Sequence, residues 1–328
     1  MSLAFEENIE SRLLINKQDQ LSCRFGPFTQ EDFVHCKDAP WCLTINDLDK
    51  LIPEFTDFLE LFQFLPRFLI DDVMASLSAK RGGVGPHVDQ YDVFLFQAYG
   101  TKNWRIGYQD QPVEKKDDGA VMLIKDFEPF IDVDTSAGDL IYIPANTPHY
   151  GIATSEYSTT YSLGLRYPLV DELGYFLSEF IGNDSEMKRQ IRNIPNSNFG
   201  AKLDQTQINA IKNLFVSYVN NLDFTDLLGN YFTKRKPQIP GPEPMESKSF
   251  NNVLFRDESL TLVYVADNDR IFLYGDEQKL IFPKICEALI ESICRFRKLE
   301  TNKHKSAAEI KCIEELVSLG WLFTADAD

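Results

Sequence analysis

The stretch GGVGPHVDQYDVFLFQAYG, residues 82–100, decides the fold and carries two of the three residues of the first candidate site. Its glycines predict a tight turn into a strand, because glycine adopts backbone conformations that other residues avoid. We expect the strand to run from Val88 onward, so that side chains two positions apart share one face. His87 and Asp89 are therefore predicted to project together.

A second stretch, AGDLIYIPANTPHYG (137–151), predicts a turn, a short buried strand and another turn, with His149 opening the next strand. Two imidazoles and one carboxylate form the facial triad typical of non-haem iron(II) oxygenases, which leaves metal positions open. Zinc hydrolases commonly place two histidines on a helix instead, which disfavours that class. Two buried histidines with purely structural hydrogen bonds remain the alternative.

Short runs of β-branched and aromatic residues fill 68–168, separated by Gly, Pro, Asn and Asp. This spacing predicts an antiparallel sandwich or barrel, so the expected fold class is mainly β with α. Residues 48–65 carry apolar side chains at helical spacing, with a break or first turn at Pro53. We expect this helix to cover one face of the barrel.

The chain divides into three predicted regions. Residues 1–168 form the barrel with its helical cover, 169–240 form a helical region with Asp204 or Thr206 as a helix N-cap, and 241–328 form a small winged-helix-like domain. The tract KPQIPGPEP (236–244) predicts an extended linker. In the last region, strands are predicted within 255–275 and helices within 281–300 and 307–323.

Composition limits the classes of molecule that the protein is expected to bind. The chain of 328 residues has a net charge of -17, which disfavours direct binding of nucleic acid and favours a basic protein substrate. An acidic surface that only keeps the protein soluble is the alternative. No stretch approaches the ~20 apolar residues of a membrane span, and the start does not resemble a secretory signal. We therefore expect a cytoplasmic protein with reduced thiols.

An oxygenase of this type commonly uses a 2-oxoacid, whose far carboxylate needs a cation or hydroxyl groups inside the barrel. Lys102 lies on the strand-like segment TKNWRIG and shares parity with Trp104, so both can face one side. Ser78, on the strand before the glycines, could add a hydrogen bond. From the residues alone, an exposed lysine in a turn remains the alternative.

These stretches, together with LPRFLIDDVMASLS (65–78), resemble the bacterial JmjC-type ribosomal oxygenases. The resemblance, which is dense over about 65–168 and looser elsewhere, implies a double-stranded β-helix, the jelly-roll barrel of cupin and JmjC proteins. It implies a hydroxylase that depends on Fe(II), 2-oxoglutarate and O2 and modifies a ribosomal protein, with an arginine of large-subunit ribosomal protein 16 as the favoured target. It also implies a homodimer through 170–235.

By matching position, the resemblance implies His87, Asp89 and His149 as metal ligands and Lys102 as the base that binds 2-oxoglutarate. Ser78 matches a hydroxyl that contacts the co-substrate, and Tyr91 shares parity with the first two ligands. Thr160 departs from the family, because bacterial relatives tend to have Asn there.

Two alternatives remain open at this point. One keeps the chemistry but changes the outcome: hydroxylation of an asparagine or histidine, or demethylation of N-methyl-lysine on another protein. The other is a cupin-like binding protein that has no turnover.

Overall fold

The computed structural model describes residues 1–17, 20–34, 36, 39–115, 123–182, 195, 203–244, 253–301 and 305–324. The strands of the first half are β1 (Ser11–Lys17), β2 (Gln20–Phe25), β3 (Trp41–Ile45), β4 (Ile70–Ala79), β5 (Asp92–Tyr99), β6 (Thr101–Ile106), β7 (Ile131–Ser136), β8 (Leu140–Ile143), β9 (His149–Ala153) and β10 (Tyr157–Leu165). Short helices α1 (Gln30–Val34), α2 (Leu48–Leu51) and α3 (Pro53–Phe58) lie among them.

Two antiparallel sheets build the barrel. Within the described residues, one has seven strands in the order β2-β1-β3-β4-β10-β5-β8 and the other has three in the order β7-β6-β9. Alternate residues of β5 and β6 are buried, as expected for strands with one face toward a core. Val93, Leu95, Trp104, Ile106 and Ile143 pack together between the two sheets. The predicted double-stranded β-helix is thereby confirmed.

Two predicted elements near the site differ from the structure. The strand expected from Val88 begins at Asp92, and His87 instead makes an isolated antiparallel bridge to His149. The helix expected over 48–65 is broken: α2 ends at Leu51, α3 begins at Pro53, and a 3-10 turn (Leu59–Phe62) follows. Proline has no N–H to donate and fits the first turn of a helix, which explains the restart at Pro53.

The helical region contains α4 (Val170–Gly182), α5 (Gln205–Asn221) and α6 (Phe224–Thr233). Asp204 caps α5 by accepting a hydrogen bond from the backbone N–H of Gln207, and the side-chain oxygen of Gln207 accepts one from the backbone N–H of Asp204. The predicted linker is not extended at its start, because Ile239 donates to the carbonyl of Lys236 and is buried. None of the helices in the described ranges is long and apolar enough to cross a lipid bilayer.

The last region holds β11 (Val253–Arg256), β12 (Val263–Ala266), β13 (Arg270–Gly275), β14 (Gln278–Pro283), α7 (Glu287–Arg295), β15 (Lys298–Glu300), α8 (Ala307–Ser318) and β16 (Leu322–Phe323). The helix expected over 281–300 is shorter, because Ile281–Pro283 complete a strand paired with β13 and Lys298–Glu300 pair with β11. The winged-helix assignment and the domain boundaries stay predictions.

Candidate metal centre

The two histidines reach one point because their backbones pair. His87 N donates to His149 O and His149 N donates to His87 O, both at 3.0 Å. This bridge holds the segment before β5 against the first residue of β9. The two imidazole ring centroids lie 4.1 Å apart.

Asp89 completes the group. Its Oδ2 lies 3.7 Å from His87 Nε2 and 3.5 Å from His149 Nε2. One ligand atom from each residue lies within 4.8 Å of the others. The side chains two positions apart therefore do share a face, although the regular strand begins later than expected.

Backbone carbonyls orient both rings. His87 Nδ1 lies 2.9 Å from Gly85 O and His149 Nδ1 lies 2.9 Å from Thr147 O. A carbonyl only accepts, so each Nδ1 carries the hydrogen and each Nε2 keeps its lone pair for a metal. Burial lowers the pKa of His149 to about 4, helped by nearby His87, so this imidazole is neutral at physiological pH.

Glycine is required twice in the segment that delivers His87. Gly85 has a φ of +98°, which other residues rarely adopt. A Cβ on Gly83 would lie 2.1 Å from the carbonyl oxygen of Gly151, inside van der Waals contact. These residues let the segment pass close against β9.

The triad opens into a cavity of about 190 Å³ inside the barrel, which Lys102 and Trp104 also line. Lys102 Nζ lies 3.4 Å from Ser76 Oγ and 5.2 Å from the Trp104 ring centroid, and that ring lies 6.1 Å from the ring of His149. Trp104 is thus next to both the cation and the triad. In the described part of the chain, no carboxylate forms an ion pair with Lys102.

A buried ammonium without a counter-ion is costly, and burial accordingly lowers the pKa of Lys102. A dicarboxylate that chelated a metal at the triad could offer its second carboxylate to this group. The donor set and the unneutralised lysine therefore fit Fe(II) and 2-oxoglutarate.

The other two residues predicted to bind the co-substrate, Tyr91 and Ser78, differ in their position relative to the cavity. Tyr91 lines the cavity and is partly exposed, and burial together with Asp89 raises the pKa of its hydroxyl. Ser78 is fully buried opposite Cys42 and is not among the cavity-lining residues, so its role stays a prediction. Ser76, two positions earlier on the same face of β4, lines the cavity instead.

Thr160 lies on β10 next to β4. Its Oγ1 donates to Gln97 Oε1 at 3.1 Å, and Gln97 Nε2 donates to Ser158 Oγ at 2.8 Å. All three side chains are buried. Thr160 therefore lies in a buried polar network outside the cavity lining.

Charged residues that the sequence did not indicate also line the cavity: Arg12, Asp71, Asp72 and Lys236. The adjacent carboxylates of β4 were visible in the sequence, but nothing in it indicated that they line a cavity. Nothing in the sequence indicated that Lys236 lines the cavity, because its partner Asp47 lies 189 positions away.

The family model for the JmjC domain matches residues 57–173, which contain all three residues of the triad. A probable ribosomal oxygenase of Haemophilus influenzae is 32% identical over 314 residues, with 88% of this chain and 77% of the relative covered. The ribosomal protein uL16 3-hydroxylase of Escherichia coli is 27% identical over 296 residues, with 86% and 77% covered.

Among solved structures, that of YcfD, a ribosomal oxygenase from Escherichia coli in complex with cobalt and 2-oxoglutarate, has the same fold. The TM-score is 0.78 at 24% identity, and 98% of this chain and 88% of the other are covered. The chain therefore belongs to the JmjC-domain ribosomal oxygenases, a family of cupin fold, and is a 2-oxoglutarate-dependent dioxygenase that uses Fe(II).

Proposed function

We propose that the protein hydroxylates an arginine of large-subunit ribosomal protein 16, with His87, Asp89 and His149 as the iron ligands. Lys102 binds the far carboxylate of 2-oxoglutarate in this proposal. The observation that carries it is that one cavity is lined by the triad, by the buried Lys102 and by the carboxylates of Asp71 and Asp72. The similarity to the uL16 3-hydroxylase supports the choice of substrate.

Asp71 and Asp72 supply the selectivity for a cationic side chain. Both line the cavity and are half-buried. A guanidinium offers five N–H donors that match carboxylates in pairs. The acidic surface, with a net charge of -17, also attracts a basic ribosomal protein.

Bound iron and 2-oxoglutarate supply the oxidising chemistry, with O2 consumed and succinate and CO2 formed. The chain's own residues orient the metal ligands and shield the site from water. The carbonyls of Gly85 and Thr147 fix the two rings, and the buried Trp104 keeps water from the space between Lys102 and His149. We infer that the reaction occurs in the cytoplasm, where ribosomal proteins are made.

The test combines the purified protein with Fe(II), 2-oxoglutarate and large-subunit ribosomal protein 16. We expect succinate release and a mass gain of one oxygen on an arginine, located by fragment spectra. Asp89→Ala should remove both signals, whereas Asp132→Asn, on the exposed strand β7, should keep them. Succinate release without any modification of ribosomal protein 16 would refute this choice of substrate. A mass loss of one methylene would indicate demethylation instead of hydroxylation.

We further infer a homodimer through 170–235. Ile208, Ile211 and Phe215 are exposed and follow helical spacing along one face of α5. Light scattering on a sizing column should give twice the chain mass. Phe215→Glu should yield the monomer and Asn213→Glu, on the other side of α5, should not; a wild-type monomer would refute the dimer.

A further inference from the structure

A second cavity, of about 230 Å³, lies where the helical cover of the barrel meets the last region of the chain. Its lining includes four arginines: Arg67, Arg256, Arg295 and Arg297. It shares no lining residue with the metal cavity. We propose that this cavity binds a small oxyanion, a phosphate or a carboxylate, between Arg67 and Arg256.

Arg256 carries the argument. It is 2% exposed, and its Nε and Nη1 have no hydrogen-bond partner among the described residues. In the same part of the chain, no carboxylate lies within ion-pair distance of it. A guanidinium stays charged in proteins, so its burial without a partner has a large desolvation cost.

Arg67 adds a second unsatisfied group at the same place. Its Nη2 donates to Asp49 Oδ2 at 3.2 Å, but its Nη1 is buried and has no partner in the described ranges. Burial, and then the proximity of Arg67, lower the pKa of Arg256 to about 10. Two like charges thus lie close together at the wall of a cavity.

Two carboxylates near the arginines are already engaged, and Glu60 and Glu291, which also line the cavity, form no ion pair within the described ranges. Glu258 pairs with Arg297, and Asp49 is shared by Arg67 and by Lys50 at 3.6 Å. A bridging water could satisfy the free N–H groups but could not neutralise the charge. An oxyanion does both, since its oxygens accept the paired N–H groups of a guanidinium.

The position gives the anion a structural role. Arg67 and Gln63 belong to the segment between α3 and β4, whereas Arg256 and Arg295 belong to the last region. Arg295 Nε already donates to Gln63 Oε1 at 3.1 Å across this contact. A bound oxyanion would join the catalytic barrel to the last region and raise the stability of the whole chain.

The test measures thermal unfolding of the full-length protein while inorganic phosphate, or acetate in a second arm, replaces chloride at constant ionic strength. We expect a saturable rise of the wild-type midpoint, roughly 4 °C at about one hundred times the Kd. Arg256→Met should abolish this rise. Lys102→Met should retain it, which separates the new site from the co-substrate site. A response to phosphate alone or to acetate alone identifies the anion.

In chloride alone, Arg256→Met should unfold at or above the wild-type temperature, because it removes an unpaired buried charge. Should this variant not fold, Arg256→Lys keeps the charge but loses the paired N–H groups, and we expect at least tenfold weaker binding. An equal phosphate response in wild type and the Arg256 variants, or no saturable response to either anion, would overturn the proposal.

Discussion

Lys236 Nζ lies 2.8 Å from Asp47 Oδ1 and 3.4 Å from Asp71 Oδ1. Asp47 is buried and directly precedes α2, whereas Lys236 follows α6. The ion pair therefore fixes the segment after the helical region against the wall of the metal cavity. Burial would lower the pKa of Lys236, but the surrounding carboxylates of Asp72, Asp71 and Asp47 raise it.

Lys236→Met should destabilise the protein by about 2 kcal/mol, because a charged hydrogen bond to a buried carboxylate is lost. Urea unfolding measures the change. Lys234→Met is the matched control: its ion pair with Glu179 is exposed, so its effect should stay within about 0.5 kcal/mol. Equal effects of the two substitutions would mean that the buried pair is not structurally important.

Gly83→Ala should both destabilise the fold and weaken metal binding. The new Cβ would meet the backbone oxygen of Gly151 at 2.1 Å, which forces the His87 segment away from β9. We expect a cost of about 1–3 kcal/mol and a higher Kd for Fe(II) or Co(II), measured by titration. Gly174→Ala, on α4 with open space around it, should instead stabilise by about 0.5–1 kcal/mol. A normal metal affinity in Gly83→Ala would contradict this explanation.

Lys102→Met should raise the KM for 2-oxoglutarate and leave metal affinity unchanged. Loss of a charge-assisted hydrogen bond costs about 1.5–3 kcal/mol, or roughly 10- to 150-fold in affinity. Succinate release at varied 2-oxoglutarate measures KM, and Lys102→Arg should restore part of the affinity. An unchanged KM in Lys102→Met would show that another group binds the far carboxylate.

The raised pKa of Asp72 predicts that substrate binding depends on pH. Burial raises its pKa from 3.8 to about 6, and Asp71 and Asp49 add to this effect against the opposing Lys236 and Lys50. Below that pKa the carboxyl is neutral and cannot attract a guanidinium. The KM for an arginine substrate should therefore fall as pH rises through about 6, and should rise roughly tenfold per pH unit below it.

The raised pKa of Asp72 also makes the free energy of unfolding depend on pH. Between pH 3.8 and about 6, native Asp72 keeps a proton that the unfolded chain releases. Its contribution to stability therefore falls as pH rises through that window and is constant above it. Asp72→Asn should remove this slope and the step in KM. A KM profile with the same step in Asp72→Asn would assign it to another group.

Local patterns predicted the barrel and the proximity of the triad. Strand alternation and glycine placement act over a few residues, so they can be found in one sequence. The expected start of a strand at Val88 was wrong because the bridge between His87 and His149 replaces regular pairing there. Pro53 correctly marked a helix break, but it did not show that the two helical pieces would be so short.

What the sequence by itself determined is the spacing of His87 and Asp89, the glycines around them and the alternating strands. Only the tertiary structure decided that Ser76 rather than Ser78 lines the cavity beside Lys102, that Lys236 reaches Asp47, and that Arg67 lies near Arg256. The physical reason is that these contacts depend on strand register and on the packing of distant segments. Burial then determines which of these charged groups lack a partner.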